Sequence, residues 1–551
     1  MTSLRLLNCE MNSLDTLVGH SSMSTTVAER LLELLEEAGV EVVFGIAGTQ
    51  TIPLLGAFER RGKPRFISAR NEQGAAYMAT AYARATGRPG VIVTSTGPGA
   101  LNAFSGMAEA RFSTLPLLHI TSFADTGHFS GGIHETPMQT PLLEIVGIGA
   151  FKAAAEEIDT AFWQAWQCCT GTPAGPVSLE LNARVWNKPA VLREAARSDA
   201  NAAAVARPDD LGPLIDAARS AKSPLLYVGG GALCAGAKKE VVRLAQALGA
   251  PIVTSSQGKL VSDWNDPLYV GPWGADTLAH DLFKASDLAI VIGSKLSALS
   301  TLHWQMPLPA ATFRIDARAN VGTEPHGKYT QLANLHGDAK AACETLLANV
   351  SRNASGAEAR VAAVRERVLG AARQRAPEAM RTIDVLGEFL SEDAAIALDM
   401  NKASFWFMKY LKMGSRAVQS FPSYLDMGSA IPAAIGLAEA GRKTVLASVG
   451  DGGFQMGMTE IGTLAQNRQA VSILVFNDGK YGLLKDNGVP DSVRGAKSLG
   501  IELRNPDFAK FADAFGLGYA LVRSPEDLPG LLSDMREPRL LESRFEFSRQ
   551  W

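Results

Sequence analysis

The sequence has few cysteines and little net charge, and both features narrow what the protein can be. Its 551 residues include five cysteines and carry a formal net charge of −3. The cysteines show neither a CxxC pair nor a Cys/His spacing typical of a metal site, which favours buried thiols in a reducing compartment over a disulfide framework. So small a charge gives no global electrostatic reason to bind nucleic acid or an anionic membrane. The five positions are Cys9, Cys168, Cys169, Cys234 and Cys343.

Membrane-spanning and export segments are also missing from the sequence. No stretch approaches the roughly 20 apolar residues that a transmembrane helix needs. The first 22 residues lack the continuous apolar core of a secretory signal. A better helix start follows Met23, where Ser24-Thr25-Thr26 precedes VAERLLELLEEAG. We therefore predict that residues 1–23 form a disordered extension and that the protein is cytoplasmic.

Three blocks of the chain repeat one pattern of short apolar strand, glycine turn and amphipathic helix. They span residues 24–190, 206–350 and 378–551, with an alanine-rich join at 190–206 and a charged, helix-prone join at 350–377. Strands that alternate with helices of this length form parallel sheets with crossover helices. The pattern predicts an α/β protein with three doubly wound parallel-sheet domains.

Glycine is abundant, and one glycine cluster surrounds a single carboxylate. The stretch ASVGDGGFQMG, residues 447–457, places Asp451 directly after the apolar run TVLASV. Open α/β sheets bind ligands at the carboxyl ends of their strands. The flanking glycines let backbone N–H groups approach an anion, and the following helix points its positive end at that anion. One such turn is common, so by itself this signal is weak.

A second carboxylate follows the next predicted strand. AVSILVF leads into Asn477-Asp478-Gly479-Lys480, and Asp478 comes 27 residues after Asp451. This spacing equals one strand–helix–strand crossover, so it predicts that the two carboxylates lie side by side at one sheet edge. They repel each other unless a cation lies between them. A hard cation that shares oxygen ligands with a phosphate fits both turns; the alternative is a pair of unrelated surface turns.

The sequences of these two turns resemble those of a known enzyme family. GDG, then the 24 residues 453–476, then ND is similar to the diphosphate-binding signature of thiamine diphosphate enzymes. Over about residues 24–545 the chain resembles the superfamily of acetolactate synthase, benzoylformate decarboxylase and pyruvate decarboxylase. The resemblance implies a pyrimidine-binding domain at 24–190, a central domain at 206–350 and a diphosphate-binding domain at 378–551. It also implies thiamine diphosphate and Mg²⁺ as cofactors.

For the diphosphate end of the cofactor, the resemblance implies a specific ligand set. The side chains of Asp451 and Asp478 and the backbone carbonyl of Lys480 would bind Mg²⁺, and Asn477 would replace Asp478 if the register shifts by one. Asp478 stands where many relatives have Asn, which keeps an oxygen ligand but adds a charge. The remaining implied cofactor-binding residues at this end are Gly450, Gly452, Gly453 and Tyr481.

The catalytic carboxylate is implied by a second motif. ISARNEQGAAYMATAYAR, residues 67–84, resembles the segment with the family's catalytic glutamate, which places that role on Glu72. A carboxylate bonded to N1′ of the aminopyrimidine promotes the imino form, whose N4′ can take the C2 proton. The alternative is that Glu72 only begins a helix, where its charge complements the helix dipole.

Two more segments resemble parts of the cofactor pocket. TSTGPGALNAFSG, residues 94–106, is similar to a glycine-proline loop that faces the cofactor. LDMGSAIPAAIG, residues 425–436, resembles the segment with a hydrophobic wedge. The resemblance implies that Met427 props thiamine in its bent form, which brings N4′ near C2. It also implies that the Leu425 carbonyl accepts a hydrogen bond from the 4′-amino group.

The substrate-facing positions are mixed. Gln50 lies in the turn GIAGTQTIP, and GGIHETPMQ, residues 131–139, aligns with a loop that carries acid–base residues in pyruvate decarboxylase. His134 and Glu135 are therefore the candidate acid–base pair; the alternative for His134 is a loop histidine bonded to backbone. Leu483 and Leu484 fall where pyruvate decarboxylase places a catalytic glutamate, which favours an apolar pocket.

The resulting functional hypothesis is cleavage of a C–C bond in a 2-oxo acid. We predict a non-oxidative decarboxylase that depends on thiamine diphosphate and Mg²⁺, with an acetolactate synthase-like carboligase or acyl transferase as the alternative. The resemblance implies a homodimer or homotetramer with active sites between subunits. A catalytically idle homologue and a nicotinamide dehydrogenase are competing classes.

The central block leaves FAD binding open. GGGALCAGA, residues 229–237, lies where flavin-binding relatives contact their cofactor, but no complete GxGxxG with a ribose-binding acid is present. An arginine expected near Ser294 is Lys295 in this chain. The sequence favours an empty, vestigial nucleotide fold over bound FAD.

Overall fold

Three parallel β-sheets organise the chain. The computed structural model describes residues 25–123, 138–191, 208–318, 329, 332–351, 356–390, 392–414, 416–486, 500–533, 536–545 and 547. Within these ranges each of the three sheets has six strands, all parallel and flanked by helices. The predicted α/β class with three doubly wound parallel sheets is confirmed. The predicted extension at residues 1–23 lies outside the described residues, and no helix among the described residues is long and apolar enough to cross a membrane.

The first sheet has the strand order β2-β1-β3-β4-β6-β5. Its strands are β1 (Val42–Gly45), β2 (Arg65–Ser68), β3 (Gly90–Thr94), β4 (Leu117–Phe123), β5 (Gly149–Ala153) and β6 (Pro176–Asn182). The helices around it are α1 (Val27–Glu37), α2 (Ile52–Arg61), α3 (Glu72–Thr86), α4 (Pro98–Asn102), α5 (Phe104–Ser113), α6 (Gln139–Val146) and α7 (Ile158–Thr170).

Helix α1 begins where the sequence predicts it. Thr26 is its N-cap and accepts a hydrogen bond from the Glu29 backbone N–H, while the Glu29 carboxylate accepts one from the Thr26 N–H. This reciprocal capping satisfies two backbone donors that a helix start otherwise leaves without partners.

The second sheet has the order β12-β11-β10-β7-β8-β9. Its strands are β7 (Pro224–Val228), β8 (Ile252–Thr254), β9 (Tyr269–Gly271), β10 (Leu288–Ile292), β11 (Thr312–Asp316) and β12 (Ala333–His336). Its helices are α8 (Gly212–Ser220), α9 (Gly230–Cys234), α10 (Lys238–Leu248), α11 (His280–Lys284) and α12 (Ala339–Asn349). The helix-prone join forms α13 (Ala357–Arg375), which leads to α14 (Pro377–Phe389).

The third sheet repeats the topology of the first, with the order β14-β13-β15-β16-β18-β17. Its strands are β13 (Ala395–Leu398), β14 (Val418–Ser420), β15 (Val445–Gly450), β16 (Val471–Phe476), β17 (Gly518–Val522) and β18 (Arg539–Ser543). Its helices are α15 (Lys402–Tyr410), α16 (Ala430–Glu439), α17 (Asp451–Gly457), α18 (Ile461–Asn467), α19 (Gly482–Asp486), α20 (Phe508–Ala514) and α21 (Asp527–Leu532).

The first and third sheets are joined through a shared apolar core between α3 and α16. Buried alanines of both helices belong to one cluster, together with Met78 and Ile431. A Cβ at Gly436 would lie 2.0 Å from the Met78 carbonyl oxygen, so only glycine permits this approach of the two helices. Since α3 begins at Glu72, this packing fixes the helix that presents the predicted catalytic carboxylate.

A buried glutamate also links the first and third domains. Glu109 on α5 is 4% exposed, and its carboxylate accepts hydrogen bonds from the Tyr424 backbone N–H at 2.9 Å and the Ser113 hydroxyl at 2.5 Å. Arg84 lies 3.3 Å from the same carboxylate. Burial raises the pKa of Glu109 to about 7, and the nearby Arg84 only partly opposes this shift.

This raised pKa predicts a pH-dependent contribution to stability. The folded protein holds Glu109 neutral, whereas the unfolded chain ionises it at the ordinary glutamate pKa, so the contribution is full below that value and is lost as pH rises to about 7. A shift of this size corresponds to about 3 kcal/mol at most. We expect the melting temperature of Glu109→Gln, relative to wild type, to rise by a few degrees between pH 5 and pH 8.

Thermal unfolding of both proteins across this pH range measures the effect. Glu156→Gln is the control, because Glu156 is an exposed carboxylate on the same domain. A difference in melting temperature between Glu109→Gln and wild type that does not change with pH contradicts the prediction.

Candidate active site

Topology brings three strand ends of the third sheet together. Strand β15 lies between β13 and β16, and the order of the chain reverses between β13 and β15. Such a switch point leaves a crevice at the carboxyl ends of the strands. Asp451 follows β15, Asp478 follows β16, and Lys402 follows β13, so side chains far apart in sequence meet at one edge.

Asp451 is the first residue of α17 and is 2% exposed. Its Oδ2 accepts a hydrogen bond from the Asn505 side-chain amide at 2.6 Å, and its Oδ1 accepts one from the Gly452 backbone N–H at 3.0 Å. Gln455 in turn donates to the Asn505 side-chain oxygen at 2.8 Å. These contacts hold the carboxylate in one orientation at a helix N-terminus, where the helix dipole favours an anion.

Asp478 lies beside Asp451 and is partly buried. Burial and then the negative charge of Asp451 raise the pKa of Asp478, while Lys402 and Lys480 oppose the shift. The Lys402 ammonium forms an ion pair with Asp478, and Lys402 Nζ lies 3.5 Å from Asp478 Oδ2. A Cβ at Gly482 would lie 2.4 Å from that carboxylate oxygen, so this turn leaves no space for a larger residue.

The two glycine turns also touch each other. A Cβ at Gly452 would lie 2.4 Å from the Tyr481 ring, so the absence of a side chain lets Tyr481 cover the start of α17. Lys480 bridges to Glu502 through its backbone, and its carbonyl accepts a hydrogen bond from Gly482 N–H at 2.9 Å. A backbone carbonyl oxygen has two lone pairs, so this type of group can accept a hydrogen bond and bind a metal ion at the same time.

Asn477 has a different environment from Asp478. Its amide nitrogen donates to Glu542 at 2.8 Å, and its side-chain oxygen accepts from Asn505 at 2.7 Å. These bonds tie the end of β16 to β18 and to the segment that orients Asp451. Asp478, rather than Asn477, therefore remains the candidate metal ligand.

The donors at this edge fit Mg²⁺. Two adjacent carboxylates and a backbone carbonyl are hard oxygen ligands. Burial and, after it, the charge of Asp451 raise the pKa of Asp478, and a divalent cation would relieve the repulsion between the two carboxylates. Gly450 and Gly453 flank Asp451, and a Cβ at Gly453 would lie 2.7 Å from the carboxylate of Asp399. Among the described residues no group of three or more His, Cys, Asp or Glu could hold a metal ion.

Glu72 is the first residue of the 15-residue helix α3, with Asn71 as its N-cap. Asn102 donates a hydrogen bond from its amide to Glu72 Oε2 at 3.1 Å. A Cβ at Gly99 would lie 3.0 Å from Glu72 Oε1, so the glycine-proline loop lies directly against the carboxylate. The loop similar to the family's cofactor-facing segment and the predicted catalytic glutamate therefore form one site.

A buried network holds this loop in place. Gln139 accepts hydrogen bonds from Gly97 N–H at 2.7 Å and from the Thr96 hydroxyl at 3.0 Å, while its amide donates to Glu180 at 2.6 Å. Gly97 has φ +64, a left-handed conformation that favours glycine. The position of the loop is thus set by side chains from β6 and α6.

Glu460 lies under the start of α3. Its carboxylate accepts hydrogen bonds from the backbone N–H groups of Arg70 at 3.2 Å and Asn71 at 2.9 Å, and from Thr463 at 2.7 Å. A Cβ at Gly74 would lie 2.3 Å from Glu460 Oε1. A carboxylate of the third domain therefore holds the backbone directly before the helix that presents Glu72.

The segment with Leu425 and Met427 is a turn with unusual backbone angles. Leu425 has φ +61 and is 43% exposed, and Gly428 has φ +83. The Gly428 N–H donates to buried Asp399, whose pKa burial raises to about 7. Met427 is half-buried next to this anchor. A left-handed leucine is uncommon and marks a backbone that the surrounding contacts fix.

The substrate-facing candidates are only partly described. Gln50 is half-buried in a 3-10 helix at Thr49–Thr51 that follows β1. A Cβ at the neighbouring Gly48 would lie 2.5 Å from the Ser95 side chain, so this turn lies against the glycine-proline loop. His134 and Glu135 lie outside the described residues, and their acid–base role stays a prediction.

In the second sheet, the glycine turns at residues 229–231 and 293 pack against each other. Gly231 N–H donates to the Gly293 carbonyl at 2.9 Å, and a Cβ at Gly229 would lie 2.3 Å from that oxygen. Lys295 donates to the Phe112 carbonyl of the first domain. Close packing thus accounts for these glycines, and FAD binding stays open.

The sequence alone did not identify several residues of the site. Lys402 could have been found, because it follows the strand AAIALDM and every strand end at a switch point is a candidate. Asn102 lies in the motif at residues 94–106 and Gln139 in the motif at residues 131–139, but neither motif assigns these residues a role. Asn505 and Glu460 had no sequence signal, since their partners are distant in the chain.

Comparison with known proteins matches all three domains to one family. Residues 25–142 match the family model "Thiamine pyrophosphate enzyme, N-terminal TPP binding domain", residues 213–346 match its central domain, and residues 399–542 match its C-terminal TPP binding domain. The matched N- and C-terminal regions contain Glu72, Asp451 and Asp478.

Relatives match over nearly the whole chain. The probable 2-ketoarginine decarboxylase AruI of Pseudomonas aeruginosa is 29% identical over 534 residues, covering 93% of this chain and 91% of its own. Acetolactate synthase of Arthrospira platensis is 27% identical over 548 residues, covering 94% of each chain.

The fold is shared with a solved structure. A candidate thiamin diphosphate-dependent enzyme from Mycobacterium smegmatis superposes with a TM-score of 0.76 at 23% identity, covering 95% of this chain and all of that one. Three domain matches in the family's order, full-length relatives and this shared fold agree. The chain therefore belongs to the superfamily of thiamine diphosphate-dependent enzymes that includes acetolactate synthase.

Proposed function

We propose that the protein is a thiamine diphosphate- and Mg²⁺-dependent decarboxylase of 2-oxo acids. The observation that carries the proposal is the pairing of Asp451 and Asp478 at the switch point of the third sheet, together with Glu72 against a glycine loop on the first. AruI, a relative matched over nearly the whole chain, is named as a decarboxylase, which favours decarboxylation over carboligation.

Separate groups of residues would bind the metal ion and transfer the proton. Asp451, Asp478 and the Lys480 carbonyl would hold Mg²⁺ and, through it, the diphosphate, with the backbone around Gly452 and Gly453 close to the anion. Glu72 would hold a proton against N1′ of the aminopyrimidine. The bound cofactor supplies a nucleophilic carbon and an electron sink for loss of carbon dioxide.

The residues that follow Asp478 favour an apolar surface next to the substrate. Leu483 and Leu484 lie in the first turn of α19, after the turn that carries Asp478, and Leu484 is 54% exposed. Neither side chain can donate or accept a proton. Acid–base steps on the substrate would therefore fall to His134 or Glu135, while the Gln50 amide would only form hydrogen bonds.

A substrate panel tests the proposal. With thiamine diphosphate and Mg²⁺, the protein should release carbon dioxide from at least one of 2-ketoarginine, pyruvate and benzoylformate, and yield the matching aldehyde. Formation of acetolactate from pyruvate would favour the alternative, a carboligase similar to the acetolactate synthase relatives. No carbon dioxide release from a broad panel of 2-oxo acids would refute the decarboxylase proposal.

We further propose that the active unit is a homodimer, or a homotetramer built from dimers, located in the cytoplasm. Large apolar side chains near the site segments are exposed in the single chain, namely Ile52, Met138, Met456 and Leu484, each more than half exposed. We infer that a partner subunit covers these side chains. Sedimentation of the holoenzyme should give a dimer or tetramer, and an active monomer would contradict the proposal.

Glu460 should act as a positioning residue for Glu72. In Glu460→Gln, one of the two carboxylate oxygens becomes an NH₂ group, which cannot accept from the donors on that side, at a cost of about 1–3 kcal/mol for a lost hydrogen bond to a charged group. We expect kcat to fall roughly tenfold while the KM for the 2-oxo acid changes less than threefold. Steady-state kinetics with the best substrate of the panel measures both.

The matched control is Glu439→Gln. Glu439 is also a carboxylate of the third domain that accepts a hydrogen bond from the first, through Arg65, but it lies away from the start of α3. Equal losses of kcat in both variants would mean that Glu460 serves domain packing only.

A further inference from the structure

Lys402 is the first residue of α15, which follows β13. Its ammonium faces the turn that carries Asp478. Its Nζ lies 3.5 Å from Asp478 Oδ2, and the two side chains are 12% and 17% exposed. A Cβ at Gly482 would lie 2.4 Å from Asp478 Oδ2 and 2.5 Å from Lys402 Cε. The ion pair is therefore confined between two strand ends and a glycine that leaves no other space.

The pair changes the charge of the site. Asp451 and Asp478 place two carboxylates at one sheet edge. A second carboxylate next to a diphosphate adds repulsion, which is strong at short distance in a partly buried site. A lysine in contact with Asp478 offsets this added charge.

We propose that Lys402 is a built-in counter-ion of Asp478, which lets this site keep a carboxylate as metal ligand without losing affinity for the diphosphate. The inference rests on the proposed Mg²⁺–diphosphate site. It assigns Lys402 a role in cofactor binding through charge compensation, by contact with Asp478.

Charge compensation has a signature that a structural role lacks. An ammonium beside two carboxylates repels a divalent cation but attracts a diphosphate. Its removal should therefore tighten the binding of metal to the apoprotein and weaken the binding of the diphosphate cofactor. A lysine that only packs would, when replaced, weaken both or neither.

The test uses the apoprotein of wild type, Lys402→Gln, Asp478→Asn and the double variant. Binding of Mn²⁺ alone is measured by electron paramagnetic resonance, and binding of thiamine diphosphate at saturating Mg²⁺ by calorimetry. Lys402→Gln should bind Mn²⁺ roughly threefold to tenfold more tightly and thiamine diphosphate roughly tenfold more weakly. Asp478→Asn should bind Mn²⁺ more weakly, and the double variant should return to within about threefold of wild type in both measurements.

Lys409→Gln is the matched control, because Lys409 is on the same helix and pairs with Asp276 at 2.9 Å with similar burial. It should leave both affinities unchanged. Loss of both affinities in Lys402→Gln, or a double variant as impaired as the sum of the single ones, would overturn the inference. Wild-type protein that binds no thiamine diphosphate would overturn the cofactor assignment itself, whereas normal wild-type binding with unchanged Lys402→Gln would overturn only the counter-ion role.

Discussion

Glu72→Gln is expected to lower kcat for carbon dioxide release by roughly 10²- to 10⁴-fold, the range of a positioned general acid–base group. Glutamine keeps the size of the side chain and can still accept the hydrogen bond that Asn102 donates at 3.1 Å. It cannot exchange a proton with N1′ of the aminopyrimidine. Thiamine diphosphate should therefore still bind, with an affinity within a few-fold of wild type. Steady-state kinetics and calorimetric titration of the cofactor measure the two quantities.

The control for this variant is Glu59→Gln, an exposed glutamate on α2 of the same domain, which should retain full turnover. Undiminished activity of Glu72→Gln would refute the catalytic role. Loss of cofactor binding together with activity would mean that Glu72 acts in binding rather than in proton transfer, which also contradicts the prediction.

Asp451→Ala is expected to abolish high-affinity binding of the cofactor, with an apparent Kd for thiamine diphosphate at least roughly 100-fold higher. The variant removes a proposed metal ligand that is 2% exposed and takes from the Asn505 amide one of its two acceptors, the one at 2.6 Å. Turnover at limiting cofactor should fall in parallel. Activity should recover in part at high thiamine diphosphate and Mg²⁺, because the missing interaction lowers affinity first.

Asp513→Ala provides the comparison, since Asp513 is an exposed carboxylate on α20 of the same domain. A melting temperature of the apoprotein near that of wild type would separate lost binding from lost folding. Normal cofactor affinity in folded Asp451→Ala would contradict the proposed diphosphate site.

Most of the fold was predictable from local patterns. Apolar runs such as TVLASV and AVSILVF, each followed by a turn and a helix, indicate parallel strands, and the three sheets confirm them. The neighbouring positions of the turns after β15 and β16 were also predictable, because one crossover joins consecutive parallel strands. The assignments of Glu72, Asp451 and Asp478 came from motifs within single segments. The limits of the three domains and the roles of the site residues stay predictions.

The contacts that tune the site were not predictable in this way. Lys402 and Asp478 are 76 residues apart, and Glu460 lies 388 residues after Glu72 in the chain. Nothing in either local sequence indicates which distant segment will be its neighbour. The strand order that places β13 next to β15 and the packing of α3 on α16 decide those neighbours.

The sequence by itself determined the class of the fold, the three-block organisation and the two carboxylate turns, since each depends on periodicity and residue type within a few tens of residues. The tertiary structure alone decided that Lys402 lies beside Asp478, that Asn505 orients Asp451 and that Glu460 binds the backbone before the helix of Glu72. The physical reason is that hydrogen bonds and ion pairs act over a few ångströms in space. Sequence separation sets no limit on them once the sheets have brought the strand ends together.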